Sequence, residues 1–196
     1  MAKEIKKEFR YFVLTEYEEE EEYLKEMNKK GWKFIKVILP GIYYFEKCEA
    51  EDVVYRLDFN PQPKKNVDSY HKMFEDYGWE YLQNLNDYSY FRKPVAALQT
   101  DEHADDIFCD NESRMDMLKR VILKKFTPIL ILFLCAFVPF LCKYAEIFID
   151  EKISFISGLL RGTSICFVIY MFFYALLLMR IVVGYFGLVK KYKREI

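Results

Sequence analysis

From Val53 to Phe59 apolar and polar positions alternate: Val53, Tyr55, Leu57 and Phe59 fall on one side, Val54, Arg56 and Asp58 on the other. A period of two marks a strand with one face against a core. β-Branched and aromatic content marks five further strands, at 8–13, 32–39, 42–48, 79–85 and 88–93. Two stretches switch to helical spacing. Tyr23, Leu24 and Met27 form a narrow stripe behind the acidic run at 18–22, and Val67, Tyr70, Phe74 and Tyr77 recur at i, i+3, i+7 and i+10. Thr15 and Glu18 have the spacing of a capping box, which predicts that the first helix opens there. The acidic run suits the positive end of a helix dipole and reads as a solvated face. Gly31 and Gly78 follow the two helices, where a left-handed conformation is cheap only for glycine. Pro40-Gly41 predicts a type II turn, and Asn86-Asp87 joins a second hairpin.

The two halves of this pattern share one grammar. Lys29-Lys30-Gly31-Trp32-Lys33-Phe34 returns as Asp76-Tyr77-Gly78-Trp79-Glu80-Tyr81, and Tyr44-Phe45-Glu46-Lys47 as Tyr90-Phe91-Arg92-Lys93. Upstream, Phe9-Arg10-Tyr11 matches Tyr55-Arg56-Leu57. An internal repeat of this size specifies architecture. It predicts an α+β domain over residues 1–94, a tandem strand-helix-strand-strand repeat forming one antiparallel-rich sheet with two helices on one face. Strand parity then puts Arg10, Phe12, Arg56 and Asp58 on the helix-free side, a candidate ligand or partner surface. Gly31, Trp32, Gly78 and Trp79 are the structural landmarks of the repeat.

Past this domain the pattern changes. Residues 95–111 are acidic and aperiodic, a linker. Residues 112–125 form a basic amphipathic helix with Met115, Leu118 and Ile122 on one face. Residues 126–142 and 163–179 are uncharged apolar runs, and the second continues past Arg180, so the predicted transmembrane helices cover 126–142 and 163–187. They enclose a loop at 143–162 and are followed by a basic tail at 188–196. Lys and Arg crowd the outer ends of this two-helix hairpin more than its loop, which predicts a multi-pass cell-membrane protein with both termini cytoplasmic.

Charge sharpens the division. Residues 1–110 carry a net charge of −8 and residues 111–196 a net charge of +7, within a chain of net −1. An acidic soluble part excludes direct nucleic-acid binding, which needs a basic footprint. The basic half is the apolar half and suits a lipid bilayer with anionic headgroups. The five cysteines form no CxxC pair, and the two histidines, His71 and His103, lie far apart, so no metal or cofactor site is expected. There is no Gly-rich phosphate loop, nucleophile elbow or HExxH, so no catalytic residues are assigned and the chain is not expected to be an enzyme. Residues 1–10 are charged and lack the apolar core of a signal peptide.

The run from Glu8-Phe9-Arg10-Tyr11-Phe12 through Lys30-Gly31-Trp32, Pro40-Gly41, Cys48-Glu49, Glu51-Asp52-Val53-Val54-Tyr55-Arg56-Leu57-Asp58-Phe59, Met73-Phe74-Glu75-Asp76, Gly78-Trp79-Glu80-Tyr81 and Tyr90-Phe91-Arg92-Lys93-Pro94 resembles the family catalogued as domain of unknown function 2812, over about residues 8–112. The resemblance implies a bacterial membrane-anchored protein, often encoded beside a PadR-type transcriptional repressor, and brings no catalytic residues. The tandem topology is also similar to that of gyrase-inhibitor-like ligand-binding domains, a likeness of fold alone. Two expectations follow. One is a regulatory or sensory module whose cytoplasmic domain binds a repressor or another protein. The alternative is a binder of an amphipathic small molecule on the open aromatic sheet face. The sequence leaves a homo-oligomer open.

Overall fold

The computed structural model describes residues 4–60, 67–97, 111–149 and 156–194. The elements run β1 (Ile5–Phe9), α1 (Tyr17–Lys29), β2 (Trp32–Ile38), β3 (Ile42–Lys47), β4 (Val53–Phe59), α2 (Val67–Asp76), β5 (Glu80–Leu85), β6 (Tyr88–Pro94), α3 (Asn111–Val121), α4 (Thr127–Ile149) and α5 (Ile156–Arg194). A π-helical turn, Ile122–Phe126, joins α3 to α4. The expected linker falls largely on 98–110, outside the described residues.

Both helix-ending glycines have the conformation their positions demand. Gly31 and Gly78 sit at φ 81° and 80°. Their amides donate to Asn28 O and Glu75 O at 2.9 and 2.8 Å, which ties off the last turn of each helix. The β2–β3 turn differs from expectation. The Leu39–Pro40 peptide is cis, and Gly41 N–H closes the turn onto Ile38 O, so Pro40 stands third in it.

The architecture is α+β, with two three-stranded antiparallel sheets in place of the single sheet expected. Their orders are β1-β3-β2 and β4-β6-β5. The sheets approach at β2 and β5, and both strands carry a bulge there, between Phe34 and Lys36 and between Tyr81 and Gln83. A bulge bends its strand and interrupts pairing. The Gln83 amide bridges instead, accepting from Val37 N–H at 3.1 Å and donating to Val37 O at 3.4 Å.

Strand β1 lies upstream of its expected span at 8–13. Its pairing with β3 runs from Ile5 against Glu46 to Phe9 against Ile42. Arg10 N–H then bonds Gly41 O and the chain leaves the sheet. In the second sheet Tyr55 faces Arg92 and Phe59 faces Tyr88. With 42–46 matched to 88–92, Ile5 holds the place of Tyr55, and Phe9 that of Phe59. The match of Phe9-Arg10-Tyr11 to Tyr55-Arg56-Leu57 is therefore off by four residues, and Arg10 is not the counterpart of Arg56.

The two N-terminal helices pack on opposite faces of the second sheet, not on one. Val53, Tyr55, Leu57 and Phe59 join Leu24 and Met27 of α1 in the main core, which also takes in Phe34, Tyr43 and Phe45. Val54 and Phe91, from the other face, join Phe74 of α2 and Trp79 in a smaller cluster. Helix α3 enters the main core through Met117, Leu118 and Val121, a face rotated from the expected Met115-Leu118-Ile122 stripe. Leu188 and Tyr192 of α5 belong to the same core. The expected basic tail at 188–196 is thus, as far as Arg194, the last turns of α5 built into the domain.

Segments Arg114–Cys142 and Phe167–Arg194 are each long and apolar enough to cross a membrane, and only 6% and 17% of their most apolar windows is buried. That exposure separates them from the core helices of a water-soluble fold. They meet through aromatic stacking, Phe133 on Tyr174 and Phe140 on Phe167, at centroid distances of 5.4 and 4.1 Å.

Candidate functional site

Helix α1 organises the site. Its buried residues are Tyr17, Glu20, Leu24, Met27 and Asn28, spaced i, i+3, i+7, i+10 and i+11. A carboxylate therefore stands in the middle of an apolar stripe. Burying it without partners would be costly. Tyr43 of β3 and Tyr90 of β6 supply hydroxyls to the same oxygen, Glu20 Oε1, at 2.6 and 2.7 Å. One acid thus joins both sheets. Burial pushes the Glu20 carboxyl above the usual carboxylate range, and the two hydroxyls oppose that rise. Among the described residues, no group donates to Oε2.

Glu20 lies on the wall of a cleft of about 90 Å³, with Val37, Tyr43, Leu57, Tyr88 and Tyr90 around it. Residues 10–14, 39–41 and 85–86 also border the cleft. These loops lie at the end of the domain from which the apolar helices depart. Lys125, at the foot of α4, pairs with Asp87 at 2.6 Å and donates to Asn86 at 3.1 Å. Arg180 of α5 grips Glu16 through both oxygens, at 2.6 and 2.7 Å. Tyr88 OH bonds Leu14 O at 2.8 Å and closes one side of the ring.

The other side of α1 is fastened to α5. Glu18 accepts from Lys191 and Tyr192, both at 2.8 Å, and lies 3.9 Å from Arg114 of α3. The Tyr17 and Tyr192 hydroxyls meet at 2.5 Å. Thr15 packs directly on Gly184, where any Cβ would overlap Thr15 Oγ1 and lie 3.0 Å from Thr15 Cβ. The expected capping box is absent: the N-cap is Glu16 with no side-chain cap bond, and Thr15 Oγ1 is buried without a partner. Glu16 instead accepts from Val13 N–H at 3.1 Å. The reading of 18–22 as a solvated face holds for Glu19 and Glu22, which are exposed, and fails for Glu18, Glu20 and Glu21, which bind the strands and the C-terminal helix.

Glu21 protects the exposed edge of β4. It accepts from Leu57 N–H at 2.7 Å and from Arg56 at 3.2 Å. A second cavity, about 290 Å³, lies beside it between α1, α3 and α5. Its acids Glu18, Glu21 and Glu22 are matched in number by Arg56, Arg114 and Lys191. Burial raises Glu21 to about 7 against the pull of Arg56 and the Leu57 amide. The folded state therefore holds a proton that the unfolded chain has released, and stability should fall as pH rises from about 4.5 to 7, then level off. A raised pKa is worth about 1.4 kcal/mol per unit, and we expect a loss of about 1–2 kcal/mol across this window from Glu21. Urea denaturation of wild type and Glu21→Gln between pH 5 and 8 checks this: the glutamine variant should lack that part of the slope.

The four residues expected on one open face are dispersed. Arg56 shares strand parity with Val54 and Asp58, as expected, but that face is covered by α2, and its guanidinium turns round the β4 edge to Glu21. Asp58 is buried and accepts from Tyr70 of α2 at 2.6 Å, with Oδ1 unpartnered. Phe12 packs against the main core. Arg10 lies at the cleft rim with its guanidinium 4.8 Å from the centre of the Tyr23 ring. Trp79 is buried and Trp32 half-buried, and each carries a lysine over its ring, Lys93 at 5.8 Å and Lys6 at 5.4 Å. The residue missed was Glu20. Its signal was present, three positions after Tyr17 and four before Leu24 on one helical stripe.

Among the described residues no three His, Cys, Asp or Glu side chains are grouped to hold a metal. A match to the family described as "Protein of unknown function (DUF2812)" spans residues 16–132. The chain belongs to this DUF2812 family. The matched region begins at the N-cap of α1 and ends inside α4, so it holds α1, both hairpins and the stalk of the first apolar helix. No curated protein and no solved structure matches the chain.

Proposed function

We propose that this chain is a multi-pass membrane protein with both termini cytoplasmic, and that it is a non-enzymatic sensor of an amphipathic small molecule. The carrying observation is the double attachment of α1. One face of this helix forms the wall of the cleft through Tyr17 and Glu20, while Tyr17, Glu18 and the N-cap Glu16 are bonded to α5. A molecule entering the cleft therefore acts on the element that grips a membrane helix. This relocates the small-molecule site from the open sheet face expected from sequence to the cleft between the sheets.

A protein partner is favoured by a separate feature. On the outer face of the first sheet Ile5, Phe9 and Ile38 are 49%, 68% and 43% exposed, and Tyr44 lies between Lys7 and Lys36 at 5.1 and 5.3 Å. Such a patch is unusual on a monomer. It is where an output partner would dock, a PadR-type repressor being the one the family resemblance suggests.

The test uses full-length protein extracted from its native membrane in polymer-bounded lipid discs. Mass spectrometry of the low-mass compounds retained should show an amphiphile enriched over bulk lipid. Leu85→Trp, which fills the cleft wall, should cut that enrichment at least tenfold, about 1.4 kcal/mol of binding. Equal retention by wild type and Leu85→Trp would place the site elsewhere. Reporter fusions at the C-terminus and within 150–155 check the topology, and an external C-terminus would end this reading.

A further inference from the structure

The cleft has a chemical preference that can be read from its walls, given that it is a small-molecule site. Its one acid, Glu20, is 7% exposed. Both hydrogen bonds to it arrive at Oε1, leaving Oε2 free for an incoming group. No lysine or arginine among the described residues pairs with it. Tyr17, Tyr43, Tyr88 and Tyr90 surround it. A desolvated acid beside aromatic rings is the arrangement that favours an organic cation, which draws the carboxyl into its charged form while the ring faces hold the head group. Arg10, at the rim, is drawn onto the Tyr23 ring and is not bonded to Glu20.

Size and direction narrow the ligand further. A cleft of about 90 Å³ is well short of the ~300–1,000 Å³ that encloses a drug-sized molecule. It has room for a head group, and the rest of the ligand must extend through the mouth. The mouth is bordered by loops fastened to the cytoplasmic ends of both apolar helices, at Lys125 and Arg180. Around it Tyr11 and Leu39 are 50% and 64% exposed. A molecule anchored by its tail in the adjacent leaflet would present its head upward into this opening.

We propose that the Glu20 cleft receives the cationic head of a single-chain amphiphile of the alkylammonium class, with the tail remaining in the membrane beneath the mouth. The head is held by Glu20 and the tyrosine rings, and the leaflet supplies the ligand by lateral diffusion. An anionic head would oppose the ionisation of Glu20 and gain nothing from its charge. A neutral head would gain the cavity contacts without the charge.

The experiment titrates three probes of equal chain length into full-length protein in phosphatidylcholine nanodiscs, with heats corrected for empty discs. They are decyltrimethylammonium, decyldimethylamine oxide at pH 7.5, where it carries no net charge, and decyl sulfate. The ammonium should bind saturably and at least tenfold more tightly than the amine oxide, with no saturable binding of the sulfate. Glu20→Gln keeps an acceptor for both tyrosine hydroxyls and removes the charge. It should weaken the ammonium at least tenfold and leave the amine oxide within twofold. Equal affinity of wild type for ammonium and amine oxide overturns the charge preference while leaving a small-molecule site standing. Absence of saturable binding by all three overturns both. Unchanged ammonium affinity in Glu20→Gln also overturns the proposal. Should that variant fail to fold, the comparison of the three probes on wild type decides by itself.

Discussion

Trp79→Ala is expected to destabilise the domain by ~3–5 kcal/mol, the range for removing a large buried aromatic ring. Trp79 is 4% exposed and closes the cluster of Val54, Phe74 and Phe91 between α2 and the second sheet. Its backbone N–H also holds Phe74 O, so the ring sits at the point where α2 turns into β5. Lys93 is almost as buried and lies over the ring, with Tyr77 O as its hydrogen-bond partner. Truncation leaves that ammonium beside a void. The equivalent change at Trp32 removes a partly buried ring at the edge of the main core and should cost ~1–2 kcal/mol, in proportion to the area lost. Urea denaturation of the full-length chain in lipid discs measures both, with the remaining tryptophan as reporter. Equal losses at the two positions would show that their settings are the same and that the burial difference carries no energy.

Gly184→Ala is expected to loosen the grip of α5 on the domain by about 1–3 kcal/mol, the cost of overpacking a close contact. Alanine is normally the better helix residue by ~1 kcal/mol, so a loss here would oppose intrinsic propensity. The cause is Thr15, a stiff β-branched side chain whose hydroxyl would overlap the new methyl group. Thr15 Oγ1 is already buried without a partner, so Thr15→Ala alone should be neutral or stabilising. The pair therefore makes a cycle: Thr15→Ala should rescue Gly184→Ala nearly completely. Hydrogen exchange of residues 10–17 in the intact protein reads the contact directly, faster in Gly184→Ala and restored in the double variant. A stabilised Gly184→Ala protein would mean that Thr15 and Gly184 are not in close contact.

These contacts mark the boundary of what the sequence could express. Gly31 and Gly78 were legible because only glycine accepts the φ they adopt cheaply, and the hairpins from Trp32 to Lys47 and from Glu80 to Pro94 because strand-prone residues and turn signals are local. Strand β1 was not. Residues 8–13 are as β-prone as any in the chain, yet the turn at Gly41 fixes where β3 begins, and the antiparallel pairing of β1 ends opposite that point, at Phe9. The bulges in β2 and β5 interrupt pairing within each sheet where the two sheet edges meet, and no local pattern in the sequence marks them. Glu20 was hidden by its neighbours. In a run of five glutamates the inward one is chosen by Tyr43 and Tyr90, which lie 23 and 70 positions away. Periodicity nonetheless placed it on the stripe with Tyr17 and Leu24. In α5 the domain-facing residues Leu188 and Tyr192 were hidden in a stretch that reads as a basic tail, because Lys190, Lys191, Lys193 and Arg194 crowd that end of the helix.

The orientation of the cleft underlies the whole account, and one fluorescence measurement tests it. Leu39, 64% exposed at the mouth, can be replaced by tryptophan. In nanodiscs containing phospholipids brominated near the top of the acyl chain, the emission added by Leu39→Trp should be strongly quenched. The Trp32 and Trp79 background of the wild-type protein should stay unchanged, and aqueous iodide should have little effect on the added signal. If the new tryptophan is insensitive to brominated lipid at every depth and is quenched by iodide, the mouth faces water and the cleft does not draw its ligand from the membrane.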